Sequence, residues 1–121
     1  MPEKIIQPYV GHIFIVDFGE MVFHTIFDSE HELTFVPVKG NLGVTETVSY
    51  KSIEIHPNAY LLYWQEKDST TVTGYWYFEK MIVYSNVTLP GNKFLNLQGK
   101  LTLMNLPGQE VSYNMNSGKG S

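Results

Sequence analysis

The sequence predicts an all-β fold, an eight-stranded antiparallel up-and-down barrel. Three observations predict it. Several stretches alternate in character every second residue, β-branched and aromatic residues crowd between breaks rich in Gly, Asn, Asp and Pro, and no stretch carries a convincing helical period. Sequential strands with short connections make an antiparallel meander, and closure into a barrel removes its exposed edges most completely. A β-sandwich is the alternative architecture.

The elements follow in order. His12 to Phe18 is the first strand, and Phe18-Gly19-Glu20 turns it tightly into Met21 to Phe27. Asp28-Ser29-Glu30 is a polar turn, after which Glu32 to Val38 forms a third strand. Lys39-Gly40-Asn41-Leu42-Gly43 closes it, with glycines that permit positive φ. Val44 to Ile55 is a long fourth strand, ended by His56-Pro57-Asn58 because proline cannot donate to a ladder. Ala59 to Glu66, Thr71 to Phe78, Met81 to Thr88 and Phe94 to Met104 complete the set, separated by turns at Lys67-Asp68-Ser69-Thr70, Glu79-Lys80 and Pro90-Gly91-Asn92. Residues 1–10 read as a lead-in, 11–104 as one barrel domain, and 105–121 as a partly disordered tail.

Composition bounds the function. With 121 residues, 43% of them hydrophobic, the chain builds one core and not two. Cysteine is absent, which excludes disulfide scaffolds, thiolate metal sites and cysteine nucleophiles. Every basic residue is a lysine and the net charge is -4, so the basic face and arginine forks of nucleic-acid binders are both missing, and no nucleic-acid partner is expected. No apolar run reaches a membrane span and the first residues lack the apolar core of a secretory signal, so no membrane partner is expected and the cytoplasm is the expected compartment.

Alternation assigns the faces. In the fifth strand Tyr60, Leu62, Trp64 and Glu66 share a face opposite Leu61, Tyr63 and Gln65; the bulkier set is placed inside. This brings Glu66 to the inner wall near one end, where desolvation would raise its pKa and suit it to acid or base work; the alternative is a solvated residue that begins the turn with Lys67 and Asp68. In the sixth strand Val72, Gly74, Trp76 and Phe78 are placed inside, with Gly74 leaving room for a neighbouring ring or a ligand, or else marking a bend or bulge. In the first strand Phe14, Val16 and Phe18 form one row and Ile13, Ile15 and Asp17 the other, with Asp17 preferring water.

Other constellations are weaker. The spacings of His12, His24, His31 and His56 match no metal-ligand pattern, so no metal and no cofactor are expected. Nucleophile-elbow, P-loop and dinucleotide-binding motifs are lacking. Pro2, a base if it were the N-terminus, has no evident site, and the sequon Asn86-Val87-Thr88 lacks a secretion signal.

The stretches Gly11-His12-Ile13-Phe14-Ile15-Val16-Asp17-Phe18, Tyr60-Leu61-Leu62-Tyr63-Trp64-Gln65-Glu66, Thr70-Thr71-Val72 and Leu97-Gln98-Gly99 resemble, in order and spacing, the MoaF-like family, named for molybdenum cofactor biosynthesis protein F. The resemblance runs from about Val10 to Met104. The family is similar to the calycins, the lipocalin-like barrels, and more distantly to bacterial phenolic acid decarboxylases, which implies eight antiparallel strands around a central cavity. Those decarboxylases use two tyrosines on the first strand, a cavity arginine and a glutamate just after a tryptophan on a middle strand. Glu66, two beyond Trp64, matches the glutamate; Val16 and Phe18 stand where the tyrosines would, and the chain has no arginine. The resemblance therefore implies an aromatic cavity with a carboxylate, not the same decarboxylation.

Three functions are weighed. The first is binding of a small apolar or aromatic molecule in the cavity, by Phe14, Val16, Phe18, Tyr50, Tyr60, Trp64, Trp76 and Tyr84. The second is a cofactor-independent lyase or isomerase with Glu66 as catalytic acid or base and Tyr50, Tyr60 or Tyr84 as hydrogen-bond donors, acting on a small unsaturated or aromatic substrate. The third is an interaction or oligomerisation module with a filled barrel, whose outer Tyr63, Tyr75 and Tyr77 would form a sticky face; a homodimer through that face is compatible with the other two.

Overall fold

In the computed structural model, which describes residues 7–40 and 43–104, every strand pairs antiparallel with its sequence neighbours and the last closes onto the first. The strands are β1 (Ile13–Asp17), β2 (Val22–Phe27), β3 (Glu32–Lys39), β4 (Glu46–His56), β5 (Ala59–Gln65), β6 (Thr71–Tyr77), β7 (Ile82–Leu89) and β8 (Lys93–Leu103). Each lies within two residues of its expected bounds. The β1–β8 seam, Phe14 opposite Leu103 through Asp17 opposite Lys100, makes the barrel and rules out the sandwich. No helix among the described residues is long and apolar enough to cross a membrane.

The turns explain the strand ends. Gly19 takes φ +96 between β1 and β2, and its amide donates to Asp17 Oδ1 at 2.8 Å. Pro57 and Asn58 span the two residues between His56 and Ala59, with Asn58 in the left-handed region. Between β5 and β6, Glu66 N donates to the Thr70 carbonyl at 2.7 Å and Ser69 N to the Glu66 carbonyl at 3.0 Å. Asp68 Oδ1 accepts from Thr70 N at 3.0 Å, which closes the turn.

Alternation puts Phe14 and Val16 inside on β1, Leu33 and Phe35 on β3, Tyr50 on β4, Leu62 on β5 and Trp76 on β6, all of them buried. The interior divides along its axis. At one end the aromatic rings pack solidly: Phe14 lies 5.2 Å from Phe78 and 5.9 Å from Phe27, and Phe27 lies 5.4 Å from Trp76, centroid to centroid. Tyr9, from the stretch read as a lead-in, seals this end. It is 0% exposed, its ring lies 4.5 Å from Phe27, 5.1 Å from Tyr60 and 5.2 Å from Phe78, and its hydroxyl shares a 2.6 Å hydrogen bond with Ser52 Oγ. A turn fixes Tyr9 there, with Val10 N on the Gln7 carbonyl at 3.1 Å and Gly11 N on the Phe27 carbonyl at 2.8 Å. The expected tail, residues 105–121, lies outside the described residues.

Candidate functional site

The other end of the barrel is hollow. A cavity of about 130 Å³ opens among the β1–β2, β5–β6 and β7–β8 connections, with Met21, Glu66, Thr70 and Leu89 toward its rim. Its walls include the inward rows of β2, β3, β6 and β8: Phe23 and Thr25, Phe35, Val72 and Trp76, Leu95 and Leu97. They are mostly apolar because each strand turns its hydrophobic row to the axis. The polar groups on the wall are few: the Trp64 and Trp76 indoles, the hydroxyls of Thr25, Thr70 and Ser85, and the Glu66 carboxyl. No lysine or histidine lines it among the described residues.

Glu66 sits just beyond β5, half-buried, where its Oε2 accepts from Trp64 Nε1 at 3.1 Å. Burial raises its pKa above the ordinary 4.5; the Trp64 hydrogen bond opposes this, and the Glu46 and Asp68 carboxylates reinforce it. Trp64 is itself steered by a stacked contact with Phe35, 6.5 Å between centroids. Trp76 differs: it is 3% exposed and its Nε1 has no hydrogen-bond partner among the described residues. Its indole lies over Gly74, where an added Cβ would come 2.9 Å from Nε1. Register passes unbroken through Gly74, from Leu62 on β5 to Ser85 on β7, so this glycine serves the neighbouring ring and marks no bulge.

The residues expected to share one site separate. Val16, Phe18, Trp64, Trp76 and Glu66 line the cavity. Phe14, Tyr50 and Tyr60 are interior but belong to the packed end: Phe14 is 0% exposed, Tyr50 donates to the Ser29 carbonyl at 2.9 Å, and Tyr60 packs on Tyr9. Burial raises the pKa of both tyrosines, Tyr60 to about 12 and Tyr50 further, so they remain neutral phenols. The placement of Tyr84 in the interior is corrected: it is 45% exposed on the outer wall, opposite Tyr75 of β6 and Gln98 of β8. Its strand turns Val83 and Ser85 inward, and Tyr84 falls in the intervening outward row. Sequence reasoning missed the β2 and β8 walls. The alternation of Phe23, Thr25 and Phe27 on β2, and of Leu95, Leu97 and Leu101 on β8, is the signal that finds them.

On the outside, Ile53, Leu61, Tyr75 and Tyr84 stand opposite one another across β4 to β7. Tyr63 is 37% exposed one row away, and the Tyr75 hydroxyl and His56 Nε2 share a 2.9 Å hydrogen bond. No group of three or more His, Asp or Glu able to hold a metal occurs among the described residues.

Comparison with known proteins places this architecture. The MoaF-like family matches residues 10–102. Among solved structures, the crystal structure of a "putative beta-lactamase" from Burkholderia vietnamiensis is similar, with a TM-score of 0.79 and 22% identity over 84% of this chain and 100% of that one. At that identity the likeness speaks for the barrel alone. No curated protein matches.

Proposed function

This chain belongs to the MoaF-like family, and from that premise and a barrel packed at one end and hollow at the other, we propose that it binds a small, ring-sized apolar molecule in the hollow end. The observation that carries the reading is the cavity itself, about 130 Å³ with walls of Phe, Trp, Leu and Val side chains. An apolar cavity of roughly 150 Å³ accommodates benzene, so one ring fits and a larger molecule would extend through the mouth. Burying a ring against such walls is favourable because both surfaces leave water. The test is titration with toluene, followed by the two tryptophan indole N–H resonances. Saturable shifts that a filling substitution such as Val87→Trp abolishes are expected; no saturable shift in the wild type would refute the reading.

A second reading, a cofactor-independent lyase or isomerase, rests on Glu66: a half-buried carboxyl with a raised pKa on the cavity wall is placed to exchange a proton with a bound molecule. Hydrogen–deuterium exchange at the α-carbon of cyclohexanone tests it. A rate above the solution rate that Glu66→Gln removes supports this chemistry, and equal rates in the two proteins discard it. The outer stripe of Ile53, Leu61, Tyr75 and Tyr84 is proposed as the contact with a second copy of the chain, since the row crosses four strands without a charge. A dimer by light scattering that Ile53→Lys dissociates is expected; a wild-type monomer at high protein concentration removes the proposal.

A further inference from the structure

Within the ligand reading, on which this inference rests, we propose that Trp76 Nε1 selects the ligand: the cavity takes neutral cyclic molecules carrying a hydrogen-bond-acceptor oxygen and rejects carboxylates. Trp76 is 3% exposed, it lines the cavity, and its Nε1 has no acceptor among the described residues. An indole N–H can only donate, and a buried donor without a partner is costly. The other cavity tryptophan shows the contrast, because Trp64 Nε1 is satisfied by Glu66 at 3.1 Å. A ligand oxygen is what Trp76 lacks.

The surroundings define the rest of the class. A methyl group on Gly74 would lie 2.9 Å from Trp76 Nε1 and 3.3 Å from Ser85 Oγ, so the indole nitrogen and the Ser85 hydroxyl are neighbours on an otherwise mostly apolar wall. Ser85 and Thr25 are both buried, at 7% and 4% exposure, and both line the cavity. Together they make a weakly polar pole suited to a carbonyl, ether or hydroxyl oxygen. Charge complementarity excludes anions. No lysine or histidine lines the cavity among the described residues, and the ionisable group on its wall is a carboxyl, Glu66. A ligand carboxylate would be desolvated without a counter-ion and would face a like charge.

Three probes on one ring scaffold separate the terms: cyclohexanone, methylcyclohexane and cyclohexanecarboxylate, titrated at neutral pH into the full chain. The chain has two tryptophans, so Trp64→Phe assigns the two indole N–H resonances. Cyclohexanone is expected to bind and move the Trp76 N–H proton downfield, and methylcyclohexane to bind without that shift and relatively more weakly than its hydrophobicity alone would give. Cyclohexanecarboxylate is expected not to saturate. In Trp76→Phe, cyclohexanone should lose roughly 3- to 10-fold in affinity, the factor for one neutral hydrogen bond, while methylcyclohexane is little changed; a purely structural role would weaken both alike. If methylcyclohexane binds and cyclohexanone leaves the Trp76 proton unmoved, the donor assignment is overturned while the pocket stands. Binding of cyclohexanecarboxylate as tight as the ketone's overturns the neutrality requirement, and if none of the three binds, the pocket reading falls with it.

Discussion

Replacing Gly74 by alanine tests a close packing contact inside the barrel. The new Cβ would meet Trp76 Nε1 at 2.9 Å and Cδ1 at 3.2 Å, both inside the 3.4 Å at which ordinary contact begins. The obstacle is a rigid ring, held by Phe27 at 5.4 Å and Phe78 at 6.0 Å between centroids. Relief by movement therefore leads toward the cavity. Overpacking of this kind costs typically about 1–3 kcal/mol, whereas removing a strand glycine by itself returns roughly 0.5–1 kcal/mol through the unfolded chain and strand propensity. The midpoints of these ranges leave a net loss of about 1 kcal/mol, on the order of 5 °C in Tm for a domain of this size. Chemical denaturation at constant m-value, paired with thermal melting, reads it. In a Trp76→Phe background, which removes the obstructing edge, Gly74→Ala should become neutral or stabilising, so that the two substitutions couple strongly. A Gly74→Ala protein as stable as the wild type, with an unchanged toluene affinity, would refute the reasoning, because the indole would then have yielded at no cost to the core or the cavity.

Two further outcomes are expected. Tyr9→Phe removes the 2.6 Å hydrogen bond to Ser52 but keeps the ring contacts, so it should cost about 1 kcal/mol, while Tyr9→Ala should cost about 3–5 kcal/mol as a large buried ring is lost; denaturant midpoints that leave Tyr9→Ala near the wild type would show that this ring does not seal the barrel. For Glu66, burial raises the folded-state pKa above the ordinary 4.5. The folded protein therefore holds its proton longer than the unfolded chain, and stability falls as pH rises from about that value through the folded pKa, remaining lower above it. Glu66→Gln, which still offers Trp64 an acceptor, should thus gain in Tm relative to the wild type above pH 4.5 and show no such gain below it. Melts at pH 4 and 7 check this, and a gain of equal size at both would contradict it.

Much of the barrel was legible because alternation and turn chemistry are local. The row Val72, Gly74, Trp76 faces inward as its period-two pattern requires, and the boundaries at Gly19, Pro57-Asn58 and Gly91-Asn92 follow from residues that tolerate turn geometry. Tyr84 was misplaced although its strand carried the signal: Val83, Ser85 and Val87 form the inward row, and Tyr84 alternates with Asn86 and Thr88. A tyrosine can lie on an outer wall with its hydroxyl in water, so its size does not settle its side. Tyr9 escaped notice for another reason. It lies in a turn before the first strand, where no periodicity marks a core residue, and only its docking against Phe27 and Phe78 reveals its role.

Alternation along β5 and β6 is enough to turn Leu62 and Trp76 toward the axis, because the side-chain period of a strand is a local property. The height of each inward residue along the axis is set instead by pairings between strands. Height depends on the stagger between paired strands, such as Leu62 opposite Gly74 opposite Ser85, and on what plugs the ends. That is why Phe14, Tyr50 and Tyr60, inward as expected, fill the sealed half, while Val16, Phe18, Trp64 and Glu66 surround the hollow one. The period of a strand has two states, in and out, and carries no information about depth.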